Sequence, residues 1–374
     1  MNIGIMSMQR IVNYGSFLQA HGLMRVLEGM GHSVTFVDYE VEKALVEEER
    51  TSTVQKYLKK FGNICRMILP EYRRYREQQI CLNRSFGEFV QAYCSEFLPL
   101  LGVKESPNYR PELDMLIIGS DEVFNCTQKG ETVGFSRELF GKNHRANALV
   151  SYAASFGSTT MEKIERFGIG DEIAGLLQGF YAVSVRDTNS AQIIQKLCGR
   201  IPFKHIDPVL LYDFSEVDSI SIDIKEYIVV YAYADRITDE EAKAIQTFAK
   251  KKNKKILTLG FYQPFCDEYV LAKPLEVLAY IKHADYVITD TFHGTIFSIK
   301  YQTPFATLVR ESNQQKLMDL LLTFDVQDRQ IKGIEQLENV LEKTMNAEMI
   351  CRRIKEEQVS AYRYLEMILG DCHE

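Results

Sequence analysis

The residues best suited to chemistry lie in the segment 285–298, where an apolar strand pattern passes through a short polar turn into a helix pattern. The turn contains Asp290, Thr291 and the pair His293-Gly294. In an open α/β sheet, ligands collect where the carboxyl end of a strand meets a helix N-terminus, whose free N–H groups favour an anion. A histidine there can bind phosphate when charged or move protons when neutral. We expect this role for His293, with Asp290 capping the helix or orienting the imidazole; the alternative is a histidine satisfied inside the core.

The first predicted β-α turn contains Asn13, Tyr14 and Gly15. A glycine here would let a ligand approach the backbone, and the Asn13 amide offers both a donor and an acceptor. Asn and Gly are also common turn residues, so a purely structural role is an equal alternative.

Two further predicted strand ends carry candidate residues. Asp121 follows the strand 114–118 and could act as a base on a sugar hydroxyl or hold it by hydrogen bonds. Arg186 ends the strand 182–186 and could bind a carboxylate or phosphate through two parallel hydrogen bonds. The structural alternatives are an Asx turn or helix cap for the aspartate, and a cap or surface ion pair with Asp187 for the arginine.

The composition is that of a globular protein and excludes several functional classes. At 374 residues, with 46% apolar and 25% charged residues, the chain is long enough for two domains. The net charge of −7 argues against a nucleic-acid binder, and no apolar run approaches the ~18 residues of a membrane span. Eight scattered cysteines without a CxxC pair fit a reducing cytoplasm and argue against a zinc site. The first eight residues resemble a strand rather than a signal peptide. We expect a cytoplasmic protein without a metal.

Strand and helix patterns alternate in two series, separated by a composition change at 213–218. Near-continuous apolar strands are typical of parallel sheets covered by helices on both faces. We therefore predict an α/β fold of two Rossmann-like domains with parallel sheets and a cleft between them. The predicted strands lie near 2–8, 33–38, 114–118, 148–153, 182–186, 227–233, 255–260, 285–289 and 305–309. The predicted units are 1–215 with a helical insertion at about 41–110, then 216–345, then a C-terminal helix within 346–374 that packs back across the domains.

Helix patterns accompany these strands. The first helix is predicted to end near Gly29 and to start at a capping box formed by Ser16 and Gln19. Further helices are predicted at 238–252, 274–283, 294–301, 312–323 and about 346–369.

The segment 56–84 is basic and amphipathic, with eight Lys or Arg against two Glu. Such a helix can lie on an anionic membrane, at its inner face for a cytoplasmic protein, or meet a lipid pyrophosphate. The alternative, which we favour slightly, is a solvated insertion neutralised by the acidic residues 47–49. Aromatic residues at 261–265 and 227–233 could stack on sugar rings, although aromatics in strands are more often core residues.

Taken together, these motifs resemble the polysaccharide pyruvyl transferase family. Collinear blocks match across roughly residues 1–325: 13–20, 31–39, 119–125, 151–157, 184–187, 207–208, 289–294 and 304–305. The resemblance implies a GT-B-like fold and a transferase that moves pyruvate from phosphoenolpyruvate to a sugar as a cyclic ketal, releasing phosphate. It implies no cofactor beyond this co-substrate, and an acceptor in a polysaccharide, exopolysaccharide or capsule, free or as a lipid-linked oligosaccharide. The acceptor is expected on the N-terminal domain and the donor on the C-terminal domain.

By this resemblance, His293 corresponds to the functional histidine of the family and Arg186 to a donor-binding arginine. With Asp121 they form the expected catalytic set. The expected donor- or substrate-binding set is Asn13, Tyr14, Gly15, Ser120, Asn125, Asp290, Thr291, Gly294 and Arg310.

The sequence departs from the family pattern at two positions. One branch of the family carries an arginine where this chain has Thr291, so one positive charge is missing, and Arg310 or the helix N-terminus is the expected substitute. A frequent tryptophan is replaced by Phe124, which keeps the aromatic character.

Three other functions are alternatives to pyruvate transfer. A GT-B-like glycosyltransferase using a nucleotide sugar would share the fold, and a non-catalytic carbohydrate-binding relative would share the site without the reaction. A nicotinamide enzyme is poorly supported because no GxGxxG motif follows the first strand.

Overall fold

The computed structural model describes residues 1–46, 70–128 and 135–370, with 70–75 described by their backbone alone. The N-terminal part of this chain forms a parallel sheet with the strand order β2-β1-β3-β4-β5-β6. Its strands are β1 (Asn2–Met6), β2 (Ser33–Phe36), β3 (Glu112–Asp121), β4 (Arg145–Ala154), β5 (Ser184–Val185) and β6 (Phe203–Lys204).

A second parallel sheet follows, with the strand order β12-β11-β10-β7-β8-β9. Every residue of its central strand β7 is buried, as expected for a parallel sheet covered on both faces. Its strands are β7 (Tyr227–Tyr231), β8 (Lys255–Leu259), β9 (Glu268–Val270), β10 (Tyr286–Thr289), β11 (Phe305–Leu308) and β12 (Gln330–Ile331).

Helices connect the strands and cover both sheets. They are α1 (Tyr14–Gly29), α2 (Pro70–Ala92), α3 (Met161–Phe167), α4 (Gly170–Gln178), α5 (Thr188–Cys198), α6 (Pro208–Leu211), α7 (Asp239–Lys252), α8 (Pro274–His283), α9 (Phe292–Tyr301), α10 (Gln314–Thr323), α11 (Leu337–Glu342) and α12 (Ala347–Gly370). A π-helical turn, Tyr93–Phe97, prolongs α2 to Leu100. Short 3₁₀ turns are found at Arg137–Phe140, Ser215–Ser219, Glu311–Asn313, Gln327–Arg329 and Ile334–Gln336.

The predicted fold class is confirmed: two six-stranded parallel sheets form an α/β, two-domain, GT-B-like fold. The segment 213–218, where the composition changes, lies between β6 and β7 and overlaps the 3₁₀ turn Ser215–Ser219. The sequence did not predict β6, β9 and β12, because strands of two or three residues are too short to show a periodic pattern.

The predicted capping box at the start of α1 was wrong. The helix begins earlier, at Tyr14, because the side-chain oxygen of Asn13 accepts hydrogen bonds from the N–H groups of Gly15 and Ser16. Gln19 instead donates to the hydroxyl of Ser7 at 2.9 Å.

The C-terminal helix α12 returns to the first domain. The amide of Gln358 donates to the carbonyl of Leu210 at 2.8 Å, and the hydroxyl of Tyr364 donates to the carbonyl of Ser151 at 2.8 Å. Buried residues of α12 join one hydrophobic cluster that also contains residues of β1, α1, β7 and β10. The two sheets therefore share a continuous core.

The described part of the predicted insertion is dominated by α2, which contacts the second domain. The ring of Phe89 lies 5.6 Å from that of Phe261, and the hydroxyl of Tyr269 donates to the carbonyl of Ser85 at 3.2 Å. Residues 56–69 of the basic segment 56–84 lie outside the described residues, and residues 70–75 are described by their backbone alone. In the part of the chain that is described, no helix has the length and apolar character needed to cross a membrane.

A candidate active site between the two sheets

A cavity of about 400 Å³ lies between the carboxyl edges of the two sheets. In the first sheet β2 and β3 lie on opposite sides of β1, and in the second sheet β8 and β10 lie on opposite sides of β7, so the chain crosses over in opposite directions beside these two strands. Open α/β sheets bind ligands at such switch points. Residues of both domains line the cavity. Those of the first domain are Asn13, Ser16, Asp121, Glu122, Asn125 and Arg186, and those of the second are Tyr233, Arg236, Thr291, Phe292, His293 and Lys316.

His293 lies in the first turn of α9, and its imidazole lines the cavity. The helix begins here because the hydroxyl of Thr291 accepts a hydrogen bond from the N–H of Gly294 at 2.9 Å. The side chain of His293 is 10% exposed, and its Nε2 atom lies 3.5 Å from a carboxylate oxygen of Asp207. The expectation that Asp290 caps the helix or orients the imidazole was wrong, since Thr291 is the cap and Asp207 faces the ring.

Gly15 is the residue that makes room for this imidazole. A Cβ atom at position 15 would lie 2.2 Å from both Cγ and Nδ1 of His293, far inside van der Waals contact. The first turn of α1 therefore packs directly against the histidine of the other domain. The sequence predicted that Gly15 would let a ligand approach the backbone, but the group that approaches is the His293 ring.

Arg186 joins two carboxylates beneath the cavity. Its guanidinium donates to Asp207 at 2.8 Å and to Asp121 at 3.1 Å, and its Cζ atom lies 4.3 Å from the centre of the Phe292 ring. The surface pair with Asp187 weighed from the sequence is not formed. Arg186 is buried, and Asp187 instead caps α5 by accepting a hydrogen bond from the N–H of Ser190 at 2.8 Å.

The surrounding positive charges keep both carboxylates ionised. Burial alone would raise the pKa of Asp121, but Arg186 and His293 outweigh burial and hold the pKa below its usual value. The pKa of Asp207 is likewise lowered, because contacts with His293 and Arg186 outweigh its burial. These two side chains are therefore anionic at neutral pH, and the guanidinium between them is largely neutralised.

The backbone of Asp121 is held in an unusual conformation, with φ at +79°, which is uncommon for a residue other than glycine. One carboxylate oxygen accepts a hydrogen bond from the hydroxyl of Ser16 at 2.8 Å, and the other accepts from the N–H of Glu122 at 2.9 Å. Strained residues of this kind cluster at functional sites. The next carboxylate, Glu122, pairs with Lys316 of the second domain.

Arg236 and Lys316 are two cations of the cavity that the sequence analysis missed. Arg236 lies in the loop after β7, where its Cζ atom is 4.7 Å from the centre of the Tyr233 ring and its guanidinium is 3.6 Å from Asp290. Lys316 lies in the first turn of α10. Both positions follow the rule that served for His293, namely a polar residue in the turn after a strand or at the start of the next helix.

The structure brings half of the predicted site residues to the cavity wall. Those that line it are Asn13, Asp121, Asn125, Arg186, Thr291 and His293, whereas Tyr14, Gly15, Ser120, Asp290, Gly294 and Arg310 do not. Two of the latter have clear structural partners, one across the two domains and one within the first. Tyr14 is buried and donates to the carbonyl of Ala272 at 2.5 Å, and Ser120 is buried and donates to the carbonyl of Ala153 at 3.0 Å.

Arg310 and Asp290 lie behind the wall on the second-domain side. Both nitrogen atoms at the end of Arg310 are directed to the carboxylate of Glu241, at 2.7 and 2.9 Å, so Arg310 does not replace the charge missing at Thr291. The carboxylate of Asp290 is fully buried, and burial raises its pKa despite the nearby Arg236 and Arg310. Gly294 packs too closely against its neighbours to face the cavity.

Solved structures with a similar fold cover nearly the whole chain. A UDP-N-acetylglucosamine 2-epimerase from Rickettsia bellii has a TM-score of 0.51 at 10% identity, covering 100% of this chain and 96% of its own. A structure assigned to a UDP-N-acetylglucosamine 2-epimerase of Listeria monocytogenes has a TM-score of 0.50 at 11% identity, covering 99% and 96%. The glycotransferase of kitacinnamycin has a TM-score of 0.49 at 12% identity, covering 99% and 98%. At these identities the likeness concerns the fold alone.

The family comparison is more specific. A search of curated proteins found no match to this chain. The family model of polysaccharide pyruvyl transferases, in contrast, matches residues 13–312, from the turn before α1 to the turn before α10. The matched segment includes Asn13, Asp121, Arg186 and His293, and it spans most of the chain. The chain therefore belongs to the polysaccharide pyruvyl transferase family.

Proposed function

We propose that this protein transfers pyruvate from phosphoenolpyruvate to two hydroxyl groups of a sugar, forming a cyclic ketal and releasing phosphate. The observation that carries the proposal is the imidazole of His293 on the wall of an inter-sheet cavity, with Asp207 on one side and three cationic side chains around it. Family membership supports the transfer of pyruvate to a polysaccharide. The cations that line the cavity support phosphoenolpyruvate as the proposed donor.

The cavity suits a small donor with several negative charges. Its lining contains the cations Arg186, Arg236 and Lys316, and also the N-terminus of α9. The backbone N–H groups of a helix N-terminus and nearby cations together favour phosphate. Because Arg186 is already paired with two carboxylates and Lys316 with Glu122, Arg236, whose side chain is 39% exposed, is the side chain proposed to bind the donor phosphate in place of the arginine missing at Thr291.

The proposed reaction moves two protons. The methylene carbon of the donor enol phosphate accepts one proton, which generates an oxocarbenium-like centre at C2. One sugar hydroxyl attacks C2, the C2–O bond to phosphate breaks, and the second hydroxyl closes the ketal. One of the two hydroxyl protons replaces the proton donated to the methylene carbon, and the other protonates the departing phosphate. Developing charge at C2 and on the phosphate is stabilised by fixed carboxylates and cations respectively.

His293 is proposed as the group that moves these protons. Asp207, anionic and 3.5 Å from its Nε2 atom, stabilises the charged imidazole and fixes the ring. Asp121 is less suited to accept a proton, because its oxygens already accept hydrogen bonds from Ser16, Glu122 and Arg186. Its proposed role is to hold a sugar hydroxyl on the acceptor side, which the first domain provides.

The test compares His293→Ala and His293→Gln with His283→Ala, a variant of an exposed histidine at the end of α8. Each purified protein is incubated with phosphoenolpyruvate and a panel of glycosides, free and lipid-linked, and phosphate release and pyruvylated product are measured. We expect the two His293 variants to lose activity by about 10²–10⁴-fold, the contribution of a general acid-base group. Wild-type rates in a folded His293→Ala protein would contradict the proposal.

A thermal-shift experiment separates the remaining functions. Stabilisation by phosphoenolpyruvate supports the proposal, whereas stabilisation by a UDP-sugar alone would indicate a glycosyltransferase. Sugar binding without release of phosphate from phosphoenolpyruvate, whichever acceptor of the panel is present, would indicate a non-catalytic carbohydrate-binding protein. The same acceptors presented on anionic vesicles test contact with a membrane.

A further inference from the structure

A second cavity, of about 360 Å³, opens beside the candidate active site. It lies between α2 and the loops that follow β7 and β8. Tyr233 lines both cavities, so the two adjoin at this residue. We call this second cavity the aromatic groove, after Phe86, Tyr233, Phe261 and Tyr262, which line it.

The rings of the aromatic groove are held in place by other rings. Phe261 lies 5.2 Å from Tyr233 and 5.6 Å from Phe89, and Tyr262 lies 6.2 Å from Tyr269, all edge to face. Aromatic pairs of this geometry are favourable and limit ring motion. The groove therefore has a preformed aromatic wall rather than one that collapses without a ligand.

On the opposite side of the groove, α2 presents an apolar ring to solvent. Phe86 is 50% exposed, and Asn83, one helical turn before it, is also exposed and lines the groove. Phe86 lines the same cavity as Phe261 and Tyr262, and apolar residues grouped in this way, unlike single scattered ones, mark ligand-binding grooves. Flat apolar rings with an amide at their edge suit a ligand with one apolar face and a hydroxylated rim.

The charges of the two cavities differ. The first is lined by three cations and by the carboxylates of Asp121 and Glu122. Among the described residues that line the aromatic groove there is no lysine or arginine, and Asp235 is the one carboxylate. A phosphorylated ligand would find no cation among these described lining residues. A neutral polyol, in contrast, finds aromatic faces for its C–H groups and the Asn83 and Asp235 side chains for its hydroxyls.

We propose that the aromatic groove binds the sugar unit next to the one that receives pyruvate, so that the acceptor is at least a disaccharide. This inference rests on the proposed function, because it takes the first cavity as the place of transfer. The pyranose ring of the second unit stacks on the aromatic wall near Phe261 and Phe86, and Asn83 hydrogen-bonds its hydroxyls. The protein thereby selects a growing glycan over a single sugar.

The experiment measures kinetics on matched acceptors. The acceptors are 4-nitrophenyl monosaccharide glycosides and the corresponding disaccharide glycosides, with phosphate release as the assay. For wild-type protein, we expect a lower KM for the disaccharide than for the monosaccharide. In Phe86→Ala, the KM for the disaccharide should rise about fivefold to tenfold, the size of one aromatic contact. The KM for the monosaccharide, the KM for phosphoenolpyruvate and kcat should stay unchanged.

Two variants complete the kinetic test. Ile80→Ala removes a 57% exposed apolar side chain from the same helix, outside the groove lining, and should leave every constant unchanged. Asn83→Ala should raise the disaccharide KM alone. Equal KM values for the two acceptors in the wild type, or an effect of Phe86→Ala on both acceptors, would overturn the inference.

A binding measurement distinguishes failure of the inference from failure of the proposed function. Saturation-transfer NMR with the same disaccharides reports contact without any reaction. Disaccharide binding that Phe86→Ala weakens, with no phosphate released from phosphoenolpyruvate, would contradict the proposed function and leave the groove as a sugar site. Pyruvate transfer with disaccharide binding unaffected by Phe86→Ala would contradict the inference and leave the proposed function.

Discussion

The carboxyl edges of the two sheets face the same cavity but are built differently. At the edge of the first sheet, Asp121, Arg186 and Asp207 are buried and satisfy one another's charges. At the edge of the second, the cations are more accessible: the side chain of Arg236 is 39% exposed and lies 3.6 Å from its carboxylate partner Asp290. The first edge therefore forms a fixed framework, and the second presents positive charge that a ligand can bind.

The largest expected effect comes from removing the centre of the first edge. Arg186→Met would leave Asp121 and Asp207 buried without their guanidinium, and breaking a buried ion pair in this way costs about 3–5 kcal/mol. We expect a loss of this size in the free energy of unfolding, measured by urea denaturation at pH 7.

The matched control is Arg25→Met, which removes an exposed ion pair with Glu28 on α1. An exposed pair contributes at most about 1 kcal/mol. If Arg186→Met were no more destabilising than Arg25→Met, the first edge would not be the framework described.

The next effect concerns the contact between the edges. Gly15→Ala places a methyl group 2.2 Å from the ring of His293 and so displaces the imidazole from its position beside Asp207. A displacement of about 1 Å at a reacting group can cost about 10²-fold in rate. We expect a loss of pyruvate transfer of this size. Gly29→Ala, in the same helix with no atom within 4 Å of the added Cβ, should leave the rate unchanged.

Much of this framework could be predicted from the sequence, because the main strands carry their pattern in consecutive residues. The strand-end rule correctly drew attention to Asn13, Asp121, Arg186 and His293, all of which line one cavity. The resemblance to a family added the order of these blocks along the chain.

The partners of these residues were harder to predict, since they depend on contacts between distant segments. Asp207 faces His293 across 86 positions of sequence, counted as 293 − 207. Arg310 has the residue type expected of a phosphate ligand, and only the position of Glu241 shows that it is already paired. No local pattern reports such pairings. Arg236 and Lys316, in contrast, lie at positions that the strand-end rule covers, after a strand and at the start of a helix.

A more modest effect is expected at the second edge. Arg236→Gln removes a cation that lines the cavity, and we expect the KM for phosphoenolpyruvate to rise about tenfold, equivalent to about 1.4 kcal/mol of binding. Arg310→Gln should leave this KM unchanged, because Arg310 is held by Glu241 outside the lining. The KM for phosphoenolpyruvate, measured by phosphate release in both variants, shows which of the two arginines binds the donor. A larger rise in this KM for Arg310→Gln than for Arg236→Gln would indicate that Arg310 binds the phosphate.

A final contrast between the edges is a difference in pH dependence, tested with Asp207→Asn and Asp290→Asn. The folded-state pKa of Asp207 is lowered below 3.8, so its charge stabilises the protein at neutral pH and this contribution is lost as the pH falls through the lowered pKa. The pKa of Asp290 is raised above 3.8, mainly by burial, so its charge is destabilising at neutral pH and this cost disappears as the pH falls through the raised pKa.

The two variants should therefore differ from wild type with opposite signs at pH 7. Asp207→Asn should unfold at a lower urea concentration and Asp290→Asn at a higher one. Both should approach the wild type as the pH falls, Asp290→Asn at a pH above 3.8 and Asp207→Asn at a pH below it. Urea-denaturation midpoints of both variants and the wild type, measured at pH 7, 5, 4 and 3, give this pH dependence. Destabilisation of both variants at pH 7 would mean that Asp290 belongs, like Asp207, to a charge network that stabilises the fold, and the contrast between the two edges would be lost.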